Sequence, residues 1–312
     1  MNSFSINRFG QTFRWVLATN FRNFLAWTLG AAVGFFLIEM LLIAFNVTAD
    51  GGNYIPFLYS TISQICQIAL IIFVLVALST GFSDYQKKPQ REAFLMLPST
   101  NLEKFLAVVI YVTVVWSLAG FLAFVVGDTL RMAVRALFFH NEWYSLVPKM
   151  LDLFGEMKPY YEHGGMFIIP TSYKVCACIF LYSLFIWIHS TYILGGTLLR
   201  KYTFVVSSLV IILAIVLVVW MGIKFNLQLF YTETWIDGQS LDAMQKAKLL
   251  ENGQLLAISD ESIQIIQKVG VLGYFFTVAL PLLSIFNYWA SFHIFKGFQL
   301  ITNKWTNYDF HK

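Results

Sequence analysis

Six uninterrupted apolar runs, each about 20 residues long, dominate what this chain can become. They fall at about 24–45, 62–82, 105–126, 175–199, 204–223 and 270–290. A helix rises about 1.5 Å per residue, so each run matches the roughly 30 Å hydrocarbon thickness of a bilayer. Within hydrocarbon every backbone N–H and C=O must be paired, which leaves only helices and closed barrels. The period-two alternation of a barrel strand is missing from these Leu-, Ile-, Val- and Phe-rich runs, so helices are expected. Composition points the same way: 12% charged residues is half the roughly 25% of a soluble domain. With 58% hydrophobic residues the chain is also far from the composition of a disordered protein. The expected fold class is an all-α polytopic membrane protein, with 1–312 forming one transmembrane domain.

Arg8, Arg14 and Arg22 precede the first run, and Val47-Thr48-Ala49 after it has the small-residue look of a signal cleavage site. Its length of about 22 residues exceeds the roughly 7–15 of a signal-peptide core, so a retained span is expected. An even number of spans places both termini on one side. That side carries Arg8, Arg14, Arg22, Lys87, Lys88, Arg91, Lys104, Arg200, Lys201, Lys296, Lys304 and Lys312, against Asp84, Glu92, Glu103 and Asp309. By the positive-inside rule both termini are expected in the cytoplasm, with the chain in the inner, cytoplasmic membrane. Basic residues are otherwise scattered, which argues against nucleic-acid binding.

Residues 1–22 read as an amphipathic helix on the inner membrane surface, with Ile6, Phe9, Phe13, Val16, Leu17 and Phe21 at helical spacing. A plain extension of the first span is the alternative. The inner loop at 83–104 predicts a short helix from Pro89 to Leu97, stopped at Pro98. A second helix, capped by Ser99 or Thr100 with Glu103 in its first turn, then enters the third span. Phe94, Leu95, Met96 and Leu97 are expected as an exposed apolar patch rimmed by charge, suited to a soluble partner or to the lipid interface. Only four residues, Arg200 to Thr203, join the fourth and fifth spans, so these form a hairpin. The two long outer loops, 127–174 and 224–268, are expected to be helical. Candidate helices cover 128–139, 144–154, 240–251 and 260–268, the last capped by Ser259, with turns at Pro148, Pro159, Pro170 and Gly164-Gly165.

Glu39 is the one acidic residue deep in a run, where an ionised group is expensive. It reads as a pathway residue, a proton carrier or an interhelical hydrogen bond. Gln64 and Gln67, three apart, line a cavity or join neighbouring helices. Gly30-Ala31-Ala32-Val33-Gly34 has the small-xxx-small helix-packing spacing, Pro281 is expected to kink the last span, and Gly195-Gly196 to loosen the fourth. Cys66, Cys176 and Cys178 lie in apolar runs and read as small buried hydrophobes rather than a metal or redox site. His189 and His293 sit near inner helix ends. A catalytic cluster of Glu39, His189 and His293 would need groups from opposite membrane depths to meet. No P-loop, His-Glu-x-x-His or Gly-x-Ser-x-Gly motif is present, so no catalytic residue and no bound metal or nucleotide is expected in this chain.

Arg91-Glu92-Ala93-Phe94-Leu95-Met96-Leu97-Pro98-Ser99-Thr100-Asn101-Leu102-Glu103-Lys104, set between the second and third of six spans, resembles the coupling segment of type-2 ABC exporter permeases. It is similar above all to permease-like proteins of Bacteroidetes, whose loop also reads Leu-Met-Leu-Pro. The resemblance implies a permease subunit whose coupling loop (Arg91 to Pro98, with Glu103 and Lys104) docks on a separate ATPase subunit. ATP and Mg would be bound by that partner. It further implies pairing with a second permease subunit, as a homo- or heterodimer, and export of a hydrophobic or amphipathic cargo. A non-transporting scaffold or sensor, whose outer loops bind an envelope partner, is the competing expectation.

Overall fold

The computed structural model describes residues 4–50, 55–82, 85, 88–139, 144–150, 167–199, 201–236, 239–240 and 263–297. Six helical stretches are long and apolar enough to cross a membrane: Ile6–Ala44, Tyr59–Thr80, Asn101–Phe138, Thr171–Leu198, Thr203–Lys224 and Val271–Lys296. All six apolar runs are therefore helical, and the chain is a multi-pass membrane protein.

The first helix, α1, spans Ile6–Asp50 without interruption. At 45 residues it is about 67 Å long, twice what a bilayer core needs. A separate helix over 1–22 is not formed; residues 6–22 are the first half of α1, the plain extension. The sequence offers no proline there, and the cap-like Thr19 and Asn20 bond back to their own helix. Thr19 Oγ1 donates to the Trp15 carbonyl and Asn20 Nδ2 to that of Val16, so both serve the helix interior instead of starting a new one.

Helix α2 (Ile55–Thr80) leads to α3 (Lys88–Leu95), the short helix expected ahead of Pro98. A continuous helical run follows: α4 (Asn101–Ile110), a π-helical segment (Tyr111–Val115) and α5 (Trp116–Phe139). The 128–139 stretch, expected as a separate outer helix, is the end of α5. Helices α6 (Thr171–Leu198) and α7 (Thr203–Lys224) are joined by the expected tight connection, where Tyr202 adopts φ 56°. The last helix, α8 (Val271–Lys296), contains Pro281.

The second outer loop departs from expectation. Its described part is β structure: β2 (Phe230–Ile236), β3 (Gln239–Ser240) and β4 (Ile263–Val269), with β1 (Phe167–Ile168) contributed by the first outer loop. The sheet order is β1-β4-β2-β3. β2 and β4 are antiparallel over seven pairs, from Phe230↔Val269 to Ile236↔Ile263, while β1 runs parallel to β4. The helix expected at 260–268 is thus a strand from Ile263 onward. Three isoleucines and a valine in Ile-Gln-Ile-Ile-Gln-Lys-Val, stiff at χ1, favour the pleated backbone. Of the helix expected at 144–154, residues 147–150 are helical and 151–154 lie outside the described residues, as do the expected helix at 240–251 beyond Ser240, Pro159 and Gly164-Gly165.

The chain divides into two compact units. The first comprises 1–156, 191–208 and 288–312, the second 157–190 and 209–287. In the first, α1 crosses α5 at Gly127, where a Cβ would come within 2.9 Å of the Ala32 carbonyl oxygen. The surrounding core includes Phe35, Ile62, Cys66, Phe124, Leu146 and Met150. Gly195 and Gly196, expected to loosen α6, instead permit close packing. A Cβ on Gly195 would meet Ser207 Oγ of α7, and one on Gly196 would come within 3.2 Å of the Phe82 ring. In the second unit Phe230 of β2 receives the rings of Tyr173 and Phe180 edge-on, and Asn287 Nδ2 donates to Ser190 Oγ at 3.2 Å. Cys66 is buried, but Cys178 is exposed and Cys176 half-buried, so those two are not core residues of this chain.

Candidate functional site

The loop resembling a coupling segment is held in a clamp built from four parts of the first unit. Thr100 caps α4 from an extended backbone (φ −70°, ψ 157°). Its Oγ1 accepts from the Glu103 amide at 3.3 Å, and Glu103 Oε2 accepts from the Thr100 amide at 2.8 Å, a reciprocal capping box built on the expected cap. The other oxygen of Glu103 reaches α1, accepting from the Ser5 amide at 2.7 Å and from Arg8 Nη2 at 3.0 Å. One buried carboxylate therefore fixes both the start of α4 and the start of α1. Next to it, Lys104 Nζ donates to the Leu95 carbonyl at 2.8 Å, closing the C-terminal end of α3.

Phe94 seats the loop. Its ring lies 4.4 Å from Tyr85, 5.8 Å from Trp15 of α1 and 6.0 Å from Phe295 of α8, and only 1% of the residue is exposed. Asn20 Nδ2 donates to the Tyr85 hydroxyl at 3.0 Å, fixing that ring in turn. This corrects the expectation of an exposed Phe94–Leu97 patch. Phe94 points inward because Tyr85 of its own loop and aromatic partners from two remote helices bury it, and Leu95 and Leu97 are half-buried. Arg91 is buried and Glu92 half-buried, so they do not form a solvated charged rim. What faces outward is Pro89, Ala93 and Met96, at i, i+4 and i+7 on one face of α3 and its terminus. Pro98, Asn101 and Leu102 continue this surface, and Met96 is 85% exposed.

A second polar constellation surrounds Glu39. Its Oε2 accepts from Arg131 Nε at 3.0 Å, and the Cys66 thiol lies 3.9 Å from its Oε1. Arg131 also donates to Asp128 Oδ1, at 3.1 Å from Nε and 2.5 Å from Nη2, and to the Tyr144 carbonyl at 2.6 Å. Asp128 Oδ2 accepts from Ser145 Oγ at 2.6 Å and the Leu146 amide at 3.0 Å. Tyr59 lies over the guanidinium at 5.7 Å and stacks on Tyr144 at 4.5 Å. Glu39, Asp128 and Arg131 are all essentially inaccessible. One cation between two carboxyls joins α1, α5 and the 144–150 segment.

Of the readings open for Glu39, this arrangement matches the interhelical tie. Gln67 takes part at its edge, donating to the Met150 carbonyl at 3.4 Å, whereas Gln64 is exposed. His293 stacks on Trp289 at 5.6 Å. Among the described residues no three His, Cys, Asp or Glu side chains are placed to hold a metal ion. Sequence reasoning placed Arg131 in an outer loop and passed over Asp128 as a partner. The usable signal was the i, i+3 spacing of Asp128 and Arg131 continuing an apolar helix. Arg8 and Trp15 carried no local signal, since each acts through a partner more than 60 residues away. No family model matches this chain, and neither a curated protein nor a solved structure matches it.

Proposed function

We propose that this chain is the permease subunit of an ATP-driven exporter, whose α3 face docks on a separate ATPase subunit at the cytoplasmic surface. The observation that carries the reading is the seating of α3. A Leu-Met-Leu-Pro helix end presents Ala93, Met96 and Pro98 outward while Phe94, Glu103 and Lys104 bind it inward. A loop that only lay against lipid would have no need of a clamp tying it to two membrane helices.

In this reading the partner binds ATP and Mg and supplies the hydrolysis. Closure of the ATPase dimer pushes on Met96 and its neighbours. The Phe94 ring cluster and the Glu103–Arg8 pair pass that displacement to α1, α4 and the end of α8 as one piece, a small rigid shift of packed helices. A second permease subunit completes the path in the inner membrane, and the cargo is hydrophobic or amphipathic. The folded sheet β1–β4 favours a second reading, a scaffold or sensor whose outer part binds an envelope protein.

Met96→Asp separates the two. It places a charge on an 85% exposed side chain and is expected to leave folding unchanged. Association with the ATPase subunit should fall at least about tenfold, as when a hot-spot contact is lost. Undiminished co-purification and lipid-stimulated ATPase activity would defeat the docking assignment.

A further inference from the structure

Three helices lead from the α3-bearing loop and its clamp into the rest of the first unit, and all three are weakened at one level. Helix α2 ends at Thr80, one residue before Gly81. Helix α4 gives way to the π-helical Tyr111–Val115, where the Trp116 amide reaches back five residues to the Tyr111 carbonyl. Helix α1 is continuous, but Thr28 Oγ1 donates to the Phe24 carbonyl at 2.8 Å, a back-bond that favours bending. These places touch one another. A Cβ on Gly81 would overlap Val112 Cγ1, and the Phe24 ring lies 5.6 Å from that of Trp116.

The parts on either side are stiff. On the inner side Phe82 packs on Phe105 at 6.1 Å and Tyr85 on Phe94 at 4.4 Å, Lys104 holds the Leu95 carbonyl, and the Glu103 clamp adds the start of α1. Phe295 of α8 joins the same ring cluster, and packed rings slide without breaking a hydrogen bond. On the outer side α5 is fixed to α1 by Glu39 and Arg131 and lies against Leu70 and Phe73 of α2 at Gly120. Between the two, the wide turn holds one more residue than an α turn, and Val114 on it is 49% exposed. The Thr113 carbonyl also accepts from Ser117 Oγ, at 2.5 Å, a bond outside the backbone ladder. A π turn is one of the few features at which a helix bends sharply.

We propose that Gly81, Tyr111–Val115 and the turn of α1 at 24–28 form a hinge. On it the piece carrying α3, α4 and the start of α1 swings against the braced helices. In the exporter reading the ATPase drives this swing. The hinge itself needs no partner and is tested without one.

The test uses spin-label distances in the full chain in lipid nanodiscs, with Cys176 and Cys178 replaced by alanine. Labels on Met96→Cys and Leu122→Cys, both exposed positions, report across the hinge. The pairs Ile6→Cys with Met96→Cys, and Leu41→Cys with Leu122→Cys, report within the inner and outer parts and serve as controls. The Met96–Leu122 distribution should be at least about twice as wide as either control. Deleting Val114 closes the wide turn into an α turn and should narrow that distribution to the width of the controls. A parent distribution no wider than the controls, or a width unchanged by the deletion, would overturn the hinge. If the deletion variant does not fold, amide exchange in the parent decides. Protection at 112–116 should fall at least about tenfold below that of α5 beyond Gly120, and equal protection overturns the hinge. A wide distribution in a chain that associates with no ATPase leaves the hinge standing and defeats the exporter reading. A narrow one in a chain that does associate defeats the hinge alone.

Discussion

Glu39 and Glu103 are both fully buried carboxylates in the same unit, yet they are satisfied in opposite ways. Glu103 accepts from two backbone amides, Ser5 and Thr100, and its cation Arg8 keeps a quarter of its side chain exposed. Among the described residues Glu39 takes its only cation from Arg131, itself enclosed and shared with Asp128. Backbone donors are fixed by the helix start and survive the loss of any one side chain. A single shared guanidinium is not replaceable. The Glu103 clamp is therefore tolerant and the Glu39 network brittle.

The largest effect is expected from Arg131→Met. It leaves two carboxyls buried without their cation, and breaking a buried pair from one side costs about 3–5 kcal/mol. Thermal unfolding in detergent should show the loss. Adding Glu39→Gln should recover part of it, since one of the two stranded charges is then removed. If Arg131→Met is as stable as the parent, the Glu39 network contributes nothing and the contrast with Glu103 collapses.

Phe94→Ala comes next, at about 3 kcal/mol for a buried ring lost from a packed cluster. The variant separates seating from docking. It should destabilise the α3 region, seen as faster amide exchange there, whereas Met96→Asp should leave exchange unchanged. Equal exchange in the two variants would mean that the ring cluster does not hold the loop.

Arg8→Met tests the tolerant side of the comparison. Arg8 is partly exposed, and the amides of Ser5 and Thr100 still donate to Glu103 after its removal. A loss of about 1 kcal/mol is expected, as for one hydrogen bond among several. A loss as large as that of Arg131→Met would show that the two carboxylates are equally dependent on their cations.

What the sequence revealed follows from how far each signal reaches. The six apolar runs are local, and all six are helices. The cap expected at Ser99 or Thr100 is also local; Thr100 provides it, and Glu103 completes a capping box. Helix limits were less legible, because hydropathy falls where charge begins while the helix continues. The third run fades near 126, yet α5 runs to Phe139 because Asp128 and Arg131 neutralise each other within it. The sheet was missed although the dipeptide Asp237-Gly238, bracketed by the Ile236↔Gln239 pair, is a strong hairpin signal. The isoleucines of β4 also fit a helix leading into the last span, and pairing with Phe230–Ile236 decides between the two. Burial of Phe94 was not legible, since Trp15 and Phe295, which enclose it with Tyr85 of its own loop, come from α1 and α8.

The smallest effect sharpens the comparison from outside the membrane. On the sheet, Lys268 Nζ lies 2.6 Å from Glu233 Oε2, with both side chains partly exposed. The hydrogen bond to Glu233 raises the Lys268 pKa above 10.5, aided by the charge of Glu233 and by Tyr231. A lysine raised on folding stabilises the folded state fully below its unfolded value and loses that contribution as pH climbs through the folded one. Amide exchange in β2 and β4 should therefore be steady through neutral pH and accelerate slightly above 10.5, beyond the intrinsic rate increase. Lys268→Gln should lack the alkaline step and differ little from the parent near pH 7, because exposed pairs are screened by water and salt. A marked loss of protection at neutral pH would place Lys268 with Arg131 among the irreplaceable cations, and partial exposure would then no longer separate the tolerant ion pairs from the brittle ones.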